Sequence, residues 1–455
     1  MQMGPAFRRF GSQFALIALL VAGCSLGTKD DAGAPSSTTP PAQDGDGDTA
    51  ESATTTTEAP SDQEPSAPAD DSSDRQPSAD LQSLNDFAGQ ILYRDDNGAI
   101  VVSSPTGENA VTISDPDVAA QRAQPTWSND GSRIAWTELG PAGPTVATAS
   151  SDGSDRVSIQ TPNPPFFFAW SPDDSNIAAL GPSTQGVELF FVDDGLDSIT
   201  RVGTGQPFFI DWADDGSLIA AVNGAFLTDI PTDSASLSNR ELPAPLGPFQ
   251  APAVLDAGET LVALTNGPGN ELVILDGADA RSIALAPGPV TFSLNPTNDT
   301  VAVIVNADTG QSQVIAFQID SPASLAPNRV SIVDTASGDV ETLDLEGALA
   351  TQWSPDGTTL AVLIAQERGL EWRFVRDGAV LPGDPFIPSQ EFFNSYVPFA
   401  DQYERSSTWW SPDSAGVVFS GSIDGESGVW VDLVEDGRAA IRIADGDIAF
   451  WSPAS

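Results

Sequence analysis

Apolar residues along this chain come in short runs, separated by polar turn-forming clusters rather than by the wider spacing of an amphipathic helix. The clearest unit is Trp353-Ser354-Pro355-Asp356-Gly357, followed by Leu360-Ala361-Val362. The same order of tryptophan, turn and aliphatic residues recurs at Trp127 before Ile134-Ala135-Trp136 and at Trp170 before Ile177-Ala178-Ala179. It returns at Trp212 before Leu218-Ile219-Ala220, at Trp410 before Val417-Val418-Phe419, and ends the chain at Trp451-Ser452-Pro453. Decayed copies begin at Leu255 and Leu294. A strand ending at the tryptophan, a Pro-Asp-Gly turn and a second strand opening on aliphatic residues make a hairpin. Proline supplies a preset φ there, aspartate a side-chain cap and glycine tolerance of positive φ.

The anchor positions are 43, 42, 43, 39, 59, 57 and 41 residues apart, and six of the ten tryptophans occupy this one position. Two weaker strands follow each hairpin, for example Val146-Ala147-Thr148 with Val157-Ser158-Ile159, and Val330 to Val333 with Val340 to Leu343. Four short strands at a period in the forties predict an all-β propeller of four-stranded blades. Gln90 to Tyr93, Ile100 to Ser103 and Val111 to Ile113 lack a preceding tryptophan strand, and Ile448 to Trp451 lacks followers. Joined, they complete one more blade and close the ring. The expectation is eight blades, or seven if the copies at Leu255 and Leu294 do not both form full ones.

The unit resembles the WD40-like repeats of TolB-related propellers, also found in the propeller domains of prolyl-oligopeptidase-type peptidases, over about residues 85–455. For the anchors Trp127, Trp170, Trp212, Trp353, Trp410 and Trp451 the resemblance implies packing between blades. In the peptidases it places catalysis in a separate hydrolase domain with Gly-x-Ser-x-Gly and a histidine. This chain ends at Ser455 and has no histidine.

The amino terminus reads differently. Arg8 and Arg9 precede the apolar run Phe14 to Ala22, too short to span a bilayer, and Leu20-Val21-Ala22-Gly23-Cys24 resembles a bacterial lipobox. The expectation is a signal peptide over 1–23 and lipidation of Cys24, with the protein exported and anchored on the extracytoplasmic face. Residues 24–84 are rich in Thr, Ser, Pro, Ala and acidic residues and almost free of aliphatics, which predicts a solvated, disordered tether before the propeller of 85–455.

Acidic residues outnumber basic ones 64 to 18, for a formal net charge of −46, which argues against nucleic acid as a partner. The absence of histidine and the single cysteine remove serine-histidine and cysteine-histidine chemistry, imidazole metal sites and disulfides. Carboxylate chemistry survives as the alternative: a glycoside-active or sugar-binding propeller, which a cleft pairing two carboxylates would favour. No cofactor is expected, with calcium at convergent turn aspartates a secondary idea.

The most individual segment is an insertion, Phe386 to Ser407, assigned to the blade that begins at Trp353. It carries Phe386, Phe392, Phe393, Tyr396, Phe399 and Tyr403 beside Glu391, Asp401 and Glu404. Aromatic loops on rigid scaffolds are where binding usually sits, and an insertion this large must also bury itself. A partner-contact loop and a plug over the channel are therefore both open. The leading expectation is a monomeric, non-catalytic scaffold for a protein or peptide of the cell envelope. A second enlargement, residues 313–327, predicts an extra strand at Val314 to Phe317.

Overall fold

The computed structural model describes residues 81 and 83–453, apart from 225, 231–237, 241, 248–249, 256–257, 268, 307–321 and 436. The segments 1–23 and 24–80, Cys24 among them, lie outside the described residues, as does Val314 to Phe317. The described residues form seven four-stranded sheets and one five-stranded sheet, almost wholly antiparallel. The short strand Ala323–Ser324, a different one from the strand expected at Val314 to Phe317, adds in parallel to Asp279–Ala286 of the sheet before it.

Each sheet opens on the strand that leads into the tryptophan position. Neighbouring first strands pack side by side: Gln121–Trp127 against Phe167–Trp170, Phe208–Trp212 against Ala253–Val254, and Val290–Leu294 against Ala348–Trp353. These strands line the axis. The fourth strands form the rim, where Val111–Thr112, Val157–Gln160 and Ala379–Pro382 are largely exposed. Closure is by Ile448–Trp451 pairing with Ile91–Arg94, Trp451 opposite Ile91, as the sequence predicts.

Middle strands are covered on both faces by adjacent sheets, so they read as continuous apolar runs rather than alternating ones. In Arg133–Gly140, Ile134 and Trp136 join one core cluster, while the intervening Ala135 packs with Phe168, Trp170 and Ile177 of the next sheet. The repeat serine is the part of the motif whose role only the structure reveals. Ser128, Ser171 and Ser354 are buried; each donates its hydroxyl to the aspartate two residues on, at 2.7, 2.7 and 2.6 Å. The same oxygens accept the amides of Arg133, Asn176 and Thr359 at 2.9, 3.0 and 2.9 Å. One hydroxyl thus pins both ends of the turn. Gly357 sits at φ +68°, and an added Cβ would lie 2.0 Å from Thr297 Oγ1 of the neighbouring sheet.

Candidate functional site

The aromatic insertion belongs to a different sheet from the one the sequence assigns. It interrupts the first strand of the Trp410 sheet: Ile387–Pro388 pairs with Gly421 and Ser422, and Trp410 rejoins opposite Val417. A sheet begins with the strand leading into its tryptophan, so residues before Trp410 are counted with that tryptophan and not with Trp353.

Between the two halves the chain winds through Phe392–Tyr396 as a π turn, Val397–Phe399 as a 3-10 turn and Ala400–Tyr403 as one α turn. Ser389 starts the excursion: its hydroxyl accepts the Phe392 amide at 3.1 Å and donates to the Asp447 carbonyl at 2.5 Å. The rings face inward. Phe386, Phe392 and Tyr396 are 1% exposed and Tyr403 8%, with Phe393 and Phe399 partly buried against the same core. Phe386 lies on Phe419 at 4.2 Å between centroids, Phe392 meets Trp409 edge-on at 5.7 Å, and Tyr396 touches both Tyr403 and Phe450. Tyr403 meets Phe167 at 5.4 Å.

Polar contacts tie this segment to each sheet in turn. The Tyr403 hydroxyl lies 2.9 Å from Gln124 Oε1 and 3.0 Å from the Phe166 carbonyl, and its one proton is shared between them. Gln402 mimics a neighbouring strand, its Oε1 accepting the Ile210 amide and its Nε2 donating to the Ile210 carbonyl, both at 2.9 Å. Asp401 accepts the Ala251 amide at 3.4 Å, and Glu404 Oε1 accepts the Ser293 hydroxyl at 2.8 Å. Gln352 donates to the Ser407 carbonyl and accepts the Trp409 amide. Arg94 bridges Glu391 at 3.0 Å and Asp447 at 2.6 Å on the closing sheet. The insertion fills the axis as a plug.

Its charged groups are deeply set. Arg405 Nε stands 3.9 Å from Asp211 Oδ2, and its Nη1 stands 3.6 Å from Glu404 Oε1. Burial pushes Glu404 up to about 8 and Asp401 up to about 6, against the opposing pull of Arg405. Asp211, which accepts the Val254 and Trp212 amides, is raised by burial as well. Glu404 Oε2 and Arg405 Nε and Nη2 find no protein hydrogen-bond partner among the described residues. Asp211, Gln402 and Arg405 went unnoticed in the sequence, where nothing distinguishes them from turn or surface residues.

The turn aspartates that suggested calcium are engaged within their own turns. Asp173 is held below the usual carboxylate range by the hydroxyls of Ser171 and Ser175, and Asp215 by Ser217. Among the described residues, no three of His, Cys, Asp and Glu are grouped to hold a metal ion. Of the tryptophan anchors, Trp127, Trp170, Trp410 and Trp451 are buried, and Trp212 and Trp353 half-buried. Trp212, Trp410 and Trp451 donate their indole N–H to the carbonyls of Ala169, Gln352 and Ala88.

No family model and no curated protein matches the sequence. Solved structures do resemble the fold. The dihydro-heme d1 dehydrogenase NirN in complex with DHE superposes with a TM-score of 0.53 at 11% identity, covering 80% of this chain and 75% of that one. A eukaryotic initiation factor gives 0.50 at 11% identity, over 81% and 99% of the two chains. TolB from Acinetobacter baumannii gives 0.34 at 15% identity, over 58% and 67%. At such identities the likeness is one of fold alone, and the fold is a β-propeller.

Proposed function

We propose that this protein is an exported, lipid-anchored propeller that binds a protein or peptide of the cell envelope and performs no chemistry of its own. The observation that carries the reading is the plugged axis. The place where a propeller commonly admits a small substrate is filled by Phe392, Tyr396 and Tyr403, and the carboxylates there are turned onto Arg405, Ser293 and backbone amides, with Glu404 Oε2 alone left unbonded in that group among the described residues. A rigid ring with a filled centre leaves its outer surfaces for recognition, which is the business of a scaffold. The lipobox-like Leu20 to Cys24 supports the anchor, because acylation of Cys24 adds about 0.8 kcal/mol per buried CH₂ and holds the chain at a membrane.

Two measurements test the two halves. Intact mass of the membrane-extracted protein is expected to show a diacylglyceryl or triacyl addition at Cys24, and Cys24→Ser is expected to move the protein to the soluble fraction. An unmodified Cys24 in a membrane-free wild type overturns the anchor. Crosslinking in the native envelope, read by mass spectrometry, is expected to recover the same few partners joined to propeller peptides. Recovery of nothing beyond what a Cys24-anchored tether without the propeller captures overturns the binding role.

A further inference from the structure

The insertion carries more acid into the axis than it can neutralise. Asp211, Asp401 and Glu404 gather around one guanidinium, that of Arg405, whose side chain is 8% exposed. With all three carboxylates ionised the group would hold about two uncompensated negative charges out of water, which is strongly unfavourable unless a proton is retained. Glu404 is the member placed to retain it. Among the described residues its Oε1 accepts only the neutral Ser293 hydroxyl at 2.8 Å, its Oε2 has no hydrogen-bond partner, and Arg405 comes no nearer than 3.6 Å. Asp401 and Asp211 each accept backbone amides, which favour their charged forms.

We propose that residues 389–407 are a proton-held plug, seated in the axis while the group of Asp211, Asp401 and Glu404 around Arg405 keeps a proton, and released when that proton leaves. The surroundings agree. Facing Glu404 are Asp401 and Arg405 of its own segment and Asp211 of the strand Phe208–Trp212. The strand Val290–Leu294 presents the uncharged Ser293, and the chain at Ala251 presents a backbone amide. On the far side of the plug, Glu391, Arg94 and Asp447 face Tyr396, and Glu391 also faces Tyr403, whereas none of the three acts on Glu404. Burial of Glu404 pushes its carboxyl up to about 8. Release hydrates the carboxyl and returns it to its ordinary range near about 4.3. The seated form therefore binds more protons between those limits, and raising the pH across them drives release, by at most about tenfold per pH unit for one proton. Above the upper limit both forms are ionised and the dependence levels off.

This inference goes beyond the binding role and stands whatever the propeller binds. Hydrogen exchange of the whole mature protein, read by mass spectrometry from pH 5.5 to 9, tests it. Exchange in 389–407 is corrected for the intrinsic chemistry of amides and referenced to Arg133–Gly140 and Thr359–Gln366. The opening constant of the insertion is expected to rise up to about tenfold per pH unit from about pH 6 toward pH 8 and then flatten, while staying well above that of the reference strands, which open only with the whole fold. Glu404→Gln is expected to remove the rise above about pH 6, leaving only the smaller contribution of Asp401 below it. Should that variant fail to fold, Ser293→Ala serves: it deletes the hydroxyl that favours the carboxylate and is expected to move the midpoint upward. An opening constant flat with pH in the wild type, a Glu404→Gln protein with the wild-type slope, or an unmoved midpoint in Ser293→Ala overturns the proposal.

Discussion

Gln402→Ala isolates the strand-like grip of the plug on the ring. The Gln402 side chain is 4% exposed and satisfies both the amide and the carbonyl of Ile210 at 2.9 Å. Ile210 itself is fully buried. Truncation leaves two buried backbone groups without partners, at about 1–3 kcal/mol each, so a total near 3 kcal/mol is expected once partial hydration is allowed for. Unfolding entropy of about 2.1 cal/mol/K per residue gives roughly 0.8 kcal/mol/K over residues 83–453, so the melting temperature is expected to fall by about 4 °C. Urea unfolding, followed by tryptophan fluorescence, should show a lower midpoint with an unchanged slope. Gln160→Ala is the control, because that side chain makes one exposed bond to the Ala142 carbonyl and its loss is expected to cost under about 0.5 kcal/mol. A Gln402→Ala protein as stable as the control refutes the claim that the insertion is bonded into the ring.

Two further outcomes test the framework. Trp410→Phe removes a fully buried indole whose Nε1 donates to Gln352 at 3.0 Å, for an expected loss of about 2 kcal/mol. Trp353→Phe removes an indole N–H that has no partner among the described residues and is expected to cost less than half as much by the same denaturation assay; equal losses would contradict the assignment. Asp432 is fully buried, and burial, aided by the charge of Asp384, raises it to about 7 although the Asp384 amide pulls the other way. The folded protein thus keeps a proton that the unfolded chain releases near about 3.9, and stability falls as pH rises between those values. Asp432→Asn is expected to gain stability relative to wild type on going from pH 5 to pH 8, measured as the difference in urea midpoints. The same difference at both values would refute it.

The ring architecture was legible because its signals are local and repeated. A tryptophan, a turn and an aliphatic run lie within about ten residues of one another, and each needs only its own hairpin to make sense. The closing pair of Ile91 with Trp451 was legible too, because two incomplete sets of strands at the chain ends fit only each other. The insertion was visible as composition, though its sheet was misassigned by the choice of where a repeat starts.

Its partners were not visible. Gln124, Ile210, Ala251, Ser293 and Gln352 carry no mark in the sequence, since each meets the insertion only after the first strands have converged on the axis. The same convergence turns Glu404 from one acid among many into a buried one beside a single arginine. Sequence by itself settled what repeats along the chain, because hairpins are specified by neighbours in order. Only the tertiary structure decided what the aromatic segment does, because burial and charge compensation at an axis are set by residues hundreds of positions apart.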